Sequence, residues 1–365
     1  MTVHQPLPDL PPPPSESGVW GWLRKNLFAT WVNSLATLVV GYLVISWLIP
    51  IINWAFINAV WVGQDTNDCN PGGACWIFIQ QRLGFFLYGF YPPELRWRPN
   101  IVFILFAITV IPQFFSKAPG RKWLALFGIT GLPVIAFFLI RGGYFGLDPV
   151  ATSRWGGLML TIIIAYVGII AALPIGVLLA LGRRSEMPII RGICVTFIEF
   201  WRAVPLITIL FMASVMLPLF LPQGVTFDRL LRALIGITLF QSAYMAEVIR
   251  GGLQAIPKGQ YEAAQALGLG YWRSMRLIIL PQALKIVIPG IANTIISLFK
   301  DTTLVLIIGL FDVLGAVRST LSDPAWRSVT AEGYIFVALC FWIFCFGMSR
   351  YSQNLEKKLD TGHRS

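Results

Sequence analysis

The sequence predicts an all-α polytopic membrane protein with about eight transmembrane helices. Of its 365 residues, 56% are hydrophobic and only 12% are charged, whereas a soluble domain carries about 25% charged residues. Apolar runs of about 20 residues recur along the chain, and each is long enough for a helix to cross the roughly 30 Å hydrocarbon core. The alternating pattern of a transmembrane β-barrel does not occur in the sequence.

The apolar runs divide into three spans before residue 150 and five spans after it. We predict the spans at about 28–50, 101–115, 123–140, 157–181, 203–221, 230–249, 284–303 and 334–348. The run 304–314 is short and interrupted by glycine, which predicts a partial helix that enters the membrane without crossing it. The sequence shows no clear internal repeat of the kind found in many secondary transporters.

The distribution of Lys and Arg predicts which side of the membrane each loop faces. Basic residues concentrate in the N-terminal tail, in the loops after spans two, four and six, and in the C-terminal tail. These segments all lie on one side of an eight-span topology, which the positive-inside rule assigns to the cytoplasm. Both termini are therefore predicted to be cytoplasmic. The same bias accounts for the formal net charge of +11, so we expect the lipid bilayer and no nucleic acid as a partner.

We predict four segments along the chain. Residues 1–27 form a disordered, proline-rich cytoplasmic tail, which lacks the basic start and apolar core of a signal peptide. Residues 28–150 form a three-span extension, 151–350 form a five-span core, and 351–365 form a second cytoplasmic tail. A glycine-rich outer loop joins the extension to the core.

The cysteines fall into two groups. Cys194, Cys340 and Cys345 lie in apolar runs, where a thiol packs as a small apolar side chain. Cys69 and Cys75 enclose the turn-rich sequence NPGGA, in a loop that the topology places outside the cytoplasm. Disulfides persist in that environment, and we therefore predict a disulfide between these two cysteines.

The segment 262–281, EAAQALGLGYWRSMRLIILP, differs from the apolar runs around it. Glu262 is predicted near the start of a short helix, where the helix dipole favours an acid. Ala263 and Ala264 begin a flat surface of small residues that another chain can approach closely. Such a surface outside the lipid suits docking to a soluble partner, although a simple interfacial link between two spans is an alternative.

Two residue types shape the second half of this segment. Gly268 and Gly270 permit a sharp turn into a second helical piece. Pro281 then fixes the angle at which the chain enters span seven. The segment is therefore predicted to be a compact helix–turn–helix on the cytoplasmic side, tied to spans six and seven.

The spacing of this segment resembles the EAA signature of bacterial ABC-importer permeases. The residues that match the signature are Glu262, Ala263, Ala264, Gly268, Ile278, Leu280 and Pro281. The flanking sequences FQSAYMAEVIRGG, LPQA, NTIISLFKDTTL and EFWRAVPL are similar to the polar amino-acid uptake branch, and this similarity covers about residues 150–350. Ala203 and Val204 depart from the usual Gly-Thr of that branch. The extension, with its cysteine loop and the sequence RWRPN, looks like the permeases of general L-amino-acid transporters.

The resemblance implies a type I ABC importer core that carries amino acids across a bacterial cytoplasmic membrane. The EAA segment would form a coupling helix seated in a groove of a separate cytoplasmic ATPase. The implied partners are ABC ATPase subunits, a second permease subunit that is a sister or a copy, and a periplasmic amino-acid-binding protein. ATP and Mg would bind to the ATPase, because this sequence contains no G-x-x-x-x-G-K-[ST] phosphate loop and is expected to bind no cofactor.

No catalytic residue and no metal site is predicted, so the chain is not expected to be an enzyme. Both histidines, His4 and His363, lie in the tails, and no nucleophile motif or metal-ligand cluster occurs. The alternative function is an ion- or proton-coupled secondary transporter of small polar solutes. That function would require buried acids within the spans, and the spans are poor in acids except near their ends.

Polar stripes in spans six and seven are candidates for the substrate pathway. They comprise Thr238, Gln241 and Ser242 in span six, and Asn293, Ser297 and Lys300, followed by Asp301, in span seven. Each set occupies one face of a helix. Polar groups in a membrane are costly unless they face protein or water, so the two stripes could bind a zwitterion. Hydrogen bonding between packed helices is the alternative for these stripes. For Lys300 and Asp301, an ion pair at the membrane interface is a further alternative.

Two acid–base pairs in the core are spaced at i and i+3. Glu199 with Arg202 and Glu247 with Arg250 are each predicted to form an ion pair on the surface of one helix. The sequence does not identify which amino acid is carried, nor whether the permease pairs with itself.

Overall fold

A computed structural model of the protein describes residues 18–115, 118–220, 222 and 227–359. Within these residues the chain is helical, and the β-structure is limited to two isolated bridges. The α-helices are α1 Gly18–Asn26, α2 Trp31–Ile52, α3 Ile77–Tyr88, α4 Trp97–Val110, α5 Arg121–Arg141, α6 Gly157–Arg183, α7 Pro188–Ala203, α8 Leu206–Phe211, α9 Arg229–Ala255, α10 Lys258–Ala266, α11 Tyr271–Ser274, α12 Leu280–Ile286, α13 Ile288–Asp301, α14 Val313–Leu321 and α15 Thr330–Leu359. The all-α prediction is confirmed.

Six helical segments of the described residues are long and apolar enough to cross a membrane. They are Trp31–Ile57, Pro93–Phe114, Arg121–Arg141, Gly157–Arg183, Ile288–Ile308 and Pro324–Leu359. A seventh results if Pro188–Ala203 and Leu206–Phe220, which meet at a bend of 99°, form one span. The remaining predicted span is α9, whose 27 residues are long enough to cross. It is more polar than the other segments, since much of its surface is buried against protein rather than lipid.

The described chain separates into two compact units, one ending at Ile77 and the other beginning at Phe78. The first unit contains α1 and α2, and α2 continues as a π-helix to Ile57. No residue of α2 is buried. The loop that follows folds back onto the end of this helix, because the Trp76 indole Nε1 donates to the Ala55 carbonyl at 2.8 Å. A disulfide joins Cys69 and Cys75 in this loop, with Cα atoms 5.5 Å apart.

Part of the N-terminal tail that was predicted to be disordered is helical, and the last helix extends into the predicted C-terminal tail. Residues 18–26, expected to belong to the disordered N-terminal tail, form α1. Residues 351–359, expected to belong to the C-terminal tail, continue α15. The proline-rich residues 1–17 and the last residues, 360–365, lie outside the described residues. A further helix, α3, was not predicted, because the polar sequence QQR interrupts its apolar run.

The centre of the second unit is formed by α6 and α9. A Cβ placed on Gly176 of α6 would lie 2.8 Å from the Met245 Cβ of α9. One placed on Gly168 would lie 3.2 Å from a Leu298 methyl group and 3.3 Å from one of Ile237. Glycine therefore allows these helices to approach closely, which is a common way of packing membrane helices.

Span five, predicted at 203–221, corresponds to the helical segment Leu206–Phe220, and a separate helix precedes it at a sharp bend. The chain first forms α7, in which Ile198 is the buried residue, and then turns by 99° into the segment beginning at Leu206. Pro205 accounts for the bend, because it restricts the preceding Val204 to an extended conformation, with φ −100° and ψ 132°. Leu221, the predicted end of the span, lies outside the described residues.

Span seven is broken near its start. The chain leaves the helical conformation at Val287 between α12 and α13, and then continues past α13 as a 3-10 helix to Ile308. The predicted partial helix at 304–314 is therefore the end of this 3-10 helix together with the beginning of α14. Gly309, with φ +74°, makes the turn between them.

A buried carboxyl group starts α14. The Asp312 side chain accepts hydrogen bonds from the backbone N–H groups of Gly315 at 2.9 Å and Leu314 at 3.3 Å. Burial raises the pKa of Asp312 to about 6, although these two hydrogen bonds act in the opposite direction. The carboxyl thus combines an N-cap with an environment that disfavours its charge.

Candidate coupling segment and polar cavity

The EAA residues begin in the middle of α10. This helix starts at Lys258, directly after Pro257, so Glu262 lies beyond the first turn. The prediction that the helix dipole favours this acid is therefore wrong, since the effect is confined to the first turn. Ala264 is completely buried, whereas Glu262 and Ala263 are exposed. The two alanines therefore lie on different faces of α10: Ala264 packs against the protein interior, and Ala263 is on the surface.

Gly268 ends α10 in a Schellman motif. The N–H of Leu269 donates to the Ala264 carbonyl at 3.1 Å, and the N–H of Gly268 donates to the Gln265 carbonyl at 2.9 Å. This pattern requires a left-handed residue, and Gly268 has φ +71°. Gly270 has φ −66°, which any residue can adopt. The predicted turn therefore depends on Gly268 alone of the two glycines.

The second half of the segment is one continuous helical stretch that includes a π-turn. After α11, residues Met275–Ile279 form the π-helix, and the Leu280 N–H donates to the Met275 carbonyl. Pro281 follows at the start of α12. Because Pro281 has no N–H to donate, the wider π-turn lies where a regular α-helix would lose a hydrogen bond. Ile278 and Leu280 are half-buried, and Pro281 is exposed.

The surface of this segment carries large apolar side chains that no described residue covers. Leu267 is 75% exposed, Trp272 68% and Leu277 64%. The basic residues Arg273 and Arg276 lie among them and are also exposed. Exposed apolar groups rimmed by polar residues are typical of a protein interaction site.

Hydrogen bonds attach α10 to the end of α9. The Arg184 Nη1 atom donates to the Leu253 carbonyl at 2.7 Å and to the Tyr261 hydroxyl at 3.0 Å. The Tyr261 hydroxyl, on α10, donates to the same carbonyl at 3.1 Å. On the other side, the Gln282 amide of α12 donates to the Gln260 side chain at 3.1 Å. The segment is therefore held to its neighbours at two points.

Apolar packing complements these hydrogen bonds. Met275, Ile279 and Ala283 belong to a buried cluster that also contains residues of α6, α7 and α9. A Cβ placed on Gly252 of α9 would lie 2.6 Å from the Ala283 carbonyl oxygen. This close approach brings α9 and α12 together without a side chain between them.

An ionic cluster joins α6, α7 and α9 next to residues 262–281, the candidate coupling segment. Glu247 contacts Arg183 at 2.9 Å, Arg250 at 2.9 Å and Arg202 at 3.6 Å. Glu199 contacts Arg183 at 2.9 Å. The predicted pair of Glu247 with Arg250 is present, but Glu199 pairs with Arg183 of a different helix rather than with Arg202. The cluster is therefore a connection between helices and not two separate surface pairs.

Part of the predicted polar stripes lines one cavity between α9 and α13. The cavity has a volume of about 340 Å³ and is lined by Phe240, Gln241, Tyr244, Asn293, Thr294, Ser297 and Asp301. Gln241 is buried and its amide donates to the Thr294 carbonyl at 2.8 Å. Its side chain therefore both lines the cavity and bonds across two helices.

Three residues of the predicted stripes do not line this cavity. Thr238 and Ser242 are buried, and the Ser242 hydroxyl donates to the Thr238 carbonyl at 2.6 Å within α9. Lys300 is exposed. The ion pairs among the described residues do not join Lys300 to Asp301. Asp301 therefore faces the cavity, while the neighbouring lysine lies on the open face of α13.

Two aromatic residues of this cavity, Phe240 and Tyr244, were not predicted from the sequence. The rings of Phe240 and Tyr244, one helical turn apart, contact each other in a tilted arrangement with a centroid distance of 4.9 Å. The Arg202 guanidinium lies over the Tyr244 ring at 5.6 Å, which connects the cavity wall to the ionic cluster. The spacing of these two aromatic residues was visible, but aromatic residues in an apolar span carry no specific signal. Within the described residues no group of three or more His, Cys, Asp and Glu could hold a metal ion.

The sequence and the fold both resemble those of known transport proteins. Residues 172–361 match the family described as "binding-protein-dependent transport system inner membrane component". The chain is similar to the inner membrane amino-acid ABC transporter permease protein YhdY of Escherichia coli strain K12, at 56% identity over 97% of each chain. It is also similar to the glutamate/glutamine/aspartate/asparagine transport system permease protein BztC of Rhodobacter capsulatus, at 40% identity over 97% of this chain and 96% of that protein.

One solved structure resembles the core of the fold. It is described as the crystal structure of an amino acid ABC transporter with histidines, and it matches with a TM-score of 0.50 and 28% sequence identity. The match covers 55% of this chain and 92% of the other chain. Nearly the whole of that chain is therefore represented here, and the present protein has additional residues.

Proposed function

The chain belongs to the family of binding-protein-dependent transport system inner membrane components, and on this basis we propose that it carries amino acids into the cytoplasm as the permease of an ABC importer. It is a multi-pass inner-membrane protein. Its near full-length relatives are named as amino-acid permeases, which supports the amino-acid substrate. Membership of this family favours ATP-driven import over ion- or proton-coupled secondary transport, the alternative that the sequence had left open.

The observation that carries the proposal is the exposed surface of the coupling segment. Leu267, Trp272 and Leu277 lie outside the segments that could span a membrane, and they are mostly exposed. A soluble partner that covers these side chains would remove apolar surface from water, a favourable contribution of roughly 25 cal/mol per Å² against which the costs of association must be set. We propose that this partner is the ATPase subunit that binds ATP and Mg. The residues of this chain that we propose to contact it include Glu262, Ala263, Gly268 and the apolar residues named above.

A single cysteine tests this contact and the predicted topology together. Gln265→Cys, in a background without Cys194, Cys340 and Cys345, should crosslink to the ATPase subunit in membranes. Phe145→Cys is the matched control, because Phe145 is 89% exposed in a loop predicted to lie outside. It should react with an impermeant reagent added to intact cells and should not crosslink. Labelling of Gln265→Cys from outside would contradict the proposed orientation, including the cytoplasmic termini.

The polar cavity is our candidate for the substrate pathway. Gln241 and Asp301 offer hydrogen-bond donors and an acceptor to a zwitterion, while Asn293 and Ser297 lie on an exposed face of α13. Polar groups on a transmembrane helix are unfavourable against lipid. We therefore propose that a second permease subunit, a sister or a copy, covers this face. A periplasmic binding protein would deliver the amino acid to the periplasmic side of the two permease subunits, opposite the ATPase.

Leucine substitutions distinguish a pathway from simple interhelical bonding. Gln241→Leu and Asn293→Leu should each lower uptake per complex severalfold at matched membrane abundance. Binding of the ATPase should be unchanged. Ser242→Ala is the control, because the Ser242 hydroxyl bonds within its own helix and does not line the cavity.

The opposing model makes a different prediction for the same variants. Hydrogen bonds between membrane helices contribute on average about 0.6 kcal/mol, so the loss of one would mainly lower the amount of folded complex. Lower abundance with unchanged uptake per complex, for both leucine variants, would end the pathway proposal. The coupling proposal would remain, because it depends on residues 262–281.

We further propose that residues 28–150 form an extension and that 151–350 form the importer core.

A further inference from the structure

A second cavity, with a volume of about 540 Å³, lies between α4, α5, α6 and α9. Its walls are largely apolar and include Val102, Phe106, Leu132, Ala136 and Met159. It shares no lining residue with the polar cavity. Its volume lies within the range of about 300–1,000 Å³ that is usual for ligand sites. The mostly apolar walls suit an apolar chain better than they suit a small zwitterion.

One end of this cavity is polar. The lining there includes Arg141, the last residue of α5, and Asp228, the residue that precedes α9. The Thr152 hydroxyl donates to the Asp228 carboxylate, which also accepts from the Leu231 N–H at 3.1 Å. Asp228 therefore has partners within the protein. Arg141 lies over the Phe137 ring at 5.5 Å and makes no ion pair within the described residues.

A buried donor in the cavity wall provides independent evidence of a ligand. Trp155 lines the cavity and is only 4% exposed. Its indole Nε1–H is buried and has no hydrogen-bond partner in the described structure. Buried tryptophan N–H groups usually have an acceptor, and an unmatched buried donor is unfavourable. An oxygen of a bound molecule would supply that acceptor.

We propose that this cavity binds an acyl chain of a phospholipid. The phosphate lies at Arg141, and an ester or glycerol oxygen accepts a hydrogen bond from the Trp155 indole. Arginine suits a phosphate because its guanidinium can donate two parallel hydrogen bonds. The cavity is also next to lipid-facing residues, since Val134 is 54% exposed and Phe137 41% exposed on α5. Both of these residues belong to its lining.

The location of the site indicates what the lipid does there. The walls formed by α4 and α5 belong to the predicted three-span extension, whereas those formed by α6 and α9 belong to the predicted core. A bound acyl chain fills the space between them. Arg141 lies at the end of a span, at the level where phospholipid phosphates occur. The lipid therefore forms part of the packing between extension and core.

Native mass spectrometry of the purified full-length protein tests this proposal. The protein is equilibrated in nanodiscs of phosphatidylglycerol and phosphatidylethanolamine and then released into mild detergent. The wild type should retain a phospholipid, and Ala136→Trp, which fills the cavity, should not. Leu126→Trp is the matched control on the same helix, since Leu126 is 51% exposed and outside the lining. It should retain lipid as the wild type does.

Two further variants keep the test decisive if Ala136→Trp does not fold. Trp155→Phe removes the donor but keeps an aromatic ring, and it should weaken retention about fivefold, as expected for one hydrogen bond. When diacylglycerol, which has no phosphate, is added to the nanodiscs, the wild type should retain phosphatidylglycerol in preference to it, and Arg141→Gln should lose that preference. A wild type without retained phospholipid would overturn the proposal. Retention by a folded Ala136→Trp protein, or by both other variants at the level of the wild type, would also overturn it.

Discussion

The left-handed conformation of Gly268 makes the coupling segment sensitive to a single substitution. Its φ of +71° is unfavourable for most residues with a Cβ, by roughly 1–2 kcal/mol. A Cβ placed on Gly268 would meet no atom within 4 Å. The penalty therefore comes from the backbone alone and not from crowding. Valine should be worse than alanine because its branched Cβ restricts the backbone further.

Three variants separate backbone conformation from side-chain size. Gly268→Val should lower the equilibrium constant for forming the Schellman turn by a factor of about 5–30, as 1–2 kcal/mol implies. Gly268→Asn should be nearly neutral, because asparagine is tolerated in the left-handed region. Gly270→Ala is the matched control: Gly270 has φ −66°, and a Cβ there would also meet no atom within 4 Å. It should behave as the wild type.

Amide hydrogen exchange reports the turn directly. The Leu269 N–H, which bonds to the Ala264 carbonyl at 3.1 Å, should exchange faster in Gly268→Val than in the wild type. The same variant should assemble poorly with the ATPase or hydrolyse ATP without transport, measured at matched expression. Exchange and uptake at wild-type levels would refute this argument. So would equal damage from Gly270→Ala, because that residue does not need a positive φ.

Three other predictions concern stability. Glu247→Gln should lower the free energy of unfolding by about 2–3 kcal/mol, which is less than for a fully buried ion pair because the arginines are partly exposed. Glu199 is more exposed, so Glu199→Gln should lower it by under about 1 kcal/mol. Thermal unfolding of the two variants compares these values. Cys69 and Cys75 should resist rapid alkylation in oxidised, denatured protein, and serine variants should lose little stability because the loop is short. The Asp312 carboxyl keeps its proton up to about pH 6 when folded but only to about pH 4 when unfolded. Stability should therefore fall as the pH rises from about 4 to 6 and stay constant above, and Asp312→Asn, which preserves the cap, should remove that slope in melting temperature.

Features set by local sequence were predicted well. The third and fourth spans, expected at 123–140 and 157–181, are Arg121–Arg141 and Gly157–Arg183, because the length of an apolar run reflects the thickness of the membrane. The turn at Gly268 was predicted because glycine occurs there in a defined pattern. The position of Glu262 within its helix was predicted wrongly, because the helix begins at Lys258, after Pro257. Proline, and not the acidic residue, marks where this helix begins.

Features set by long-range packing could not be predicted. Glu199 was assigned to Arg202 because a sequence shows neighbours at i and i+3, whereas the fold brings Arg183 within 2.9 Å of it. Likewise α9 was recognised as a span, but its ionic contacts with α6 and α7 depend on how these helices pack. Phe240 and Tyr244 resembled any other apolar residues until α13 was seen opposite them. The sequence identified which residues were polar, and only the structure showed which of them meet.

These long-range contacts connect the coupling segment to the polar cavity through one helix. Gln241 lines the cavity, Glu247 lies in the ionic cluster, and the Leu253 carbonyl accepts hydrogen bonds from Arg184 and from Tyr261 of α10. The cavity and the α10 contact are about 18 Å apart along α9 at 1.5 Å per residue. A helix with its backbone hydrogen bonds intact does not change length over that distance. We therefore infer that, if the proposed ATPase partner displaces α10, the displacement reaches Gln241 as a movement of the whole of α9 and not through the loops.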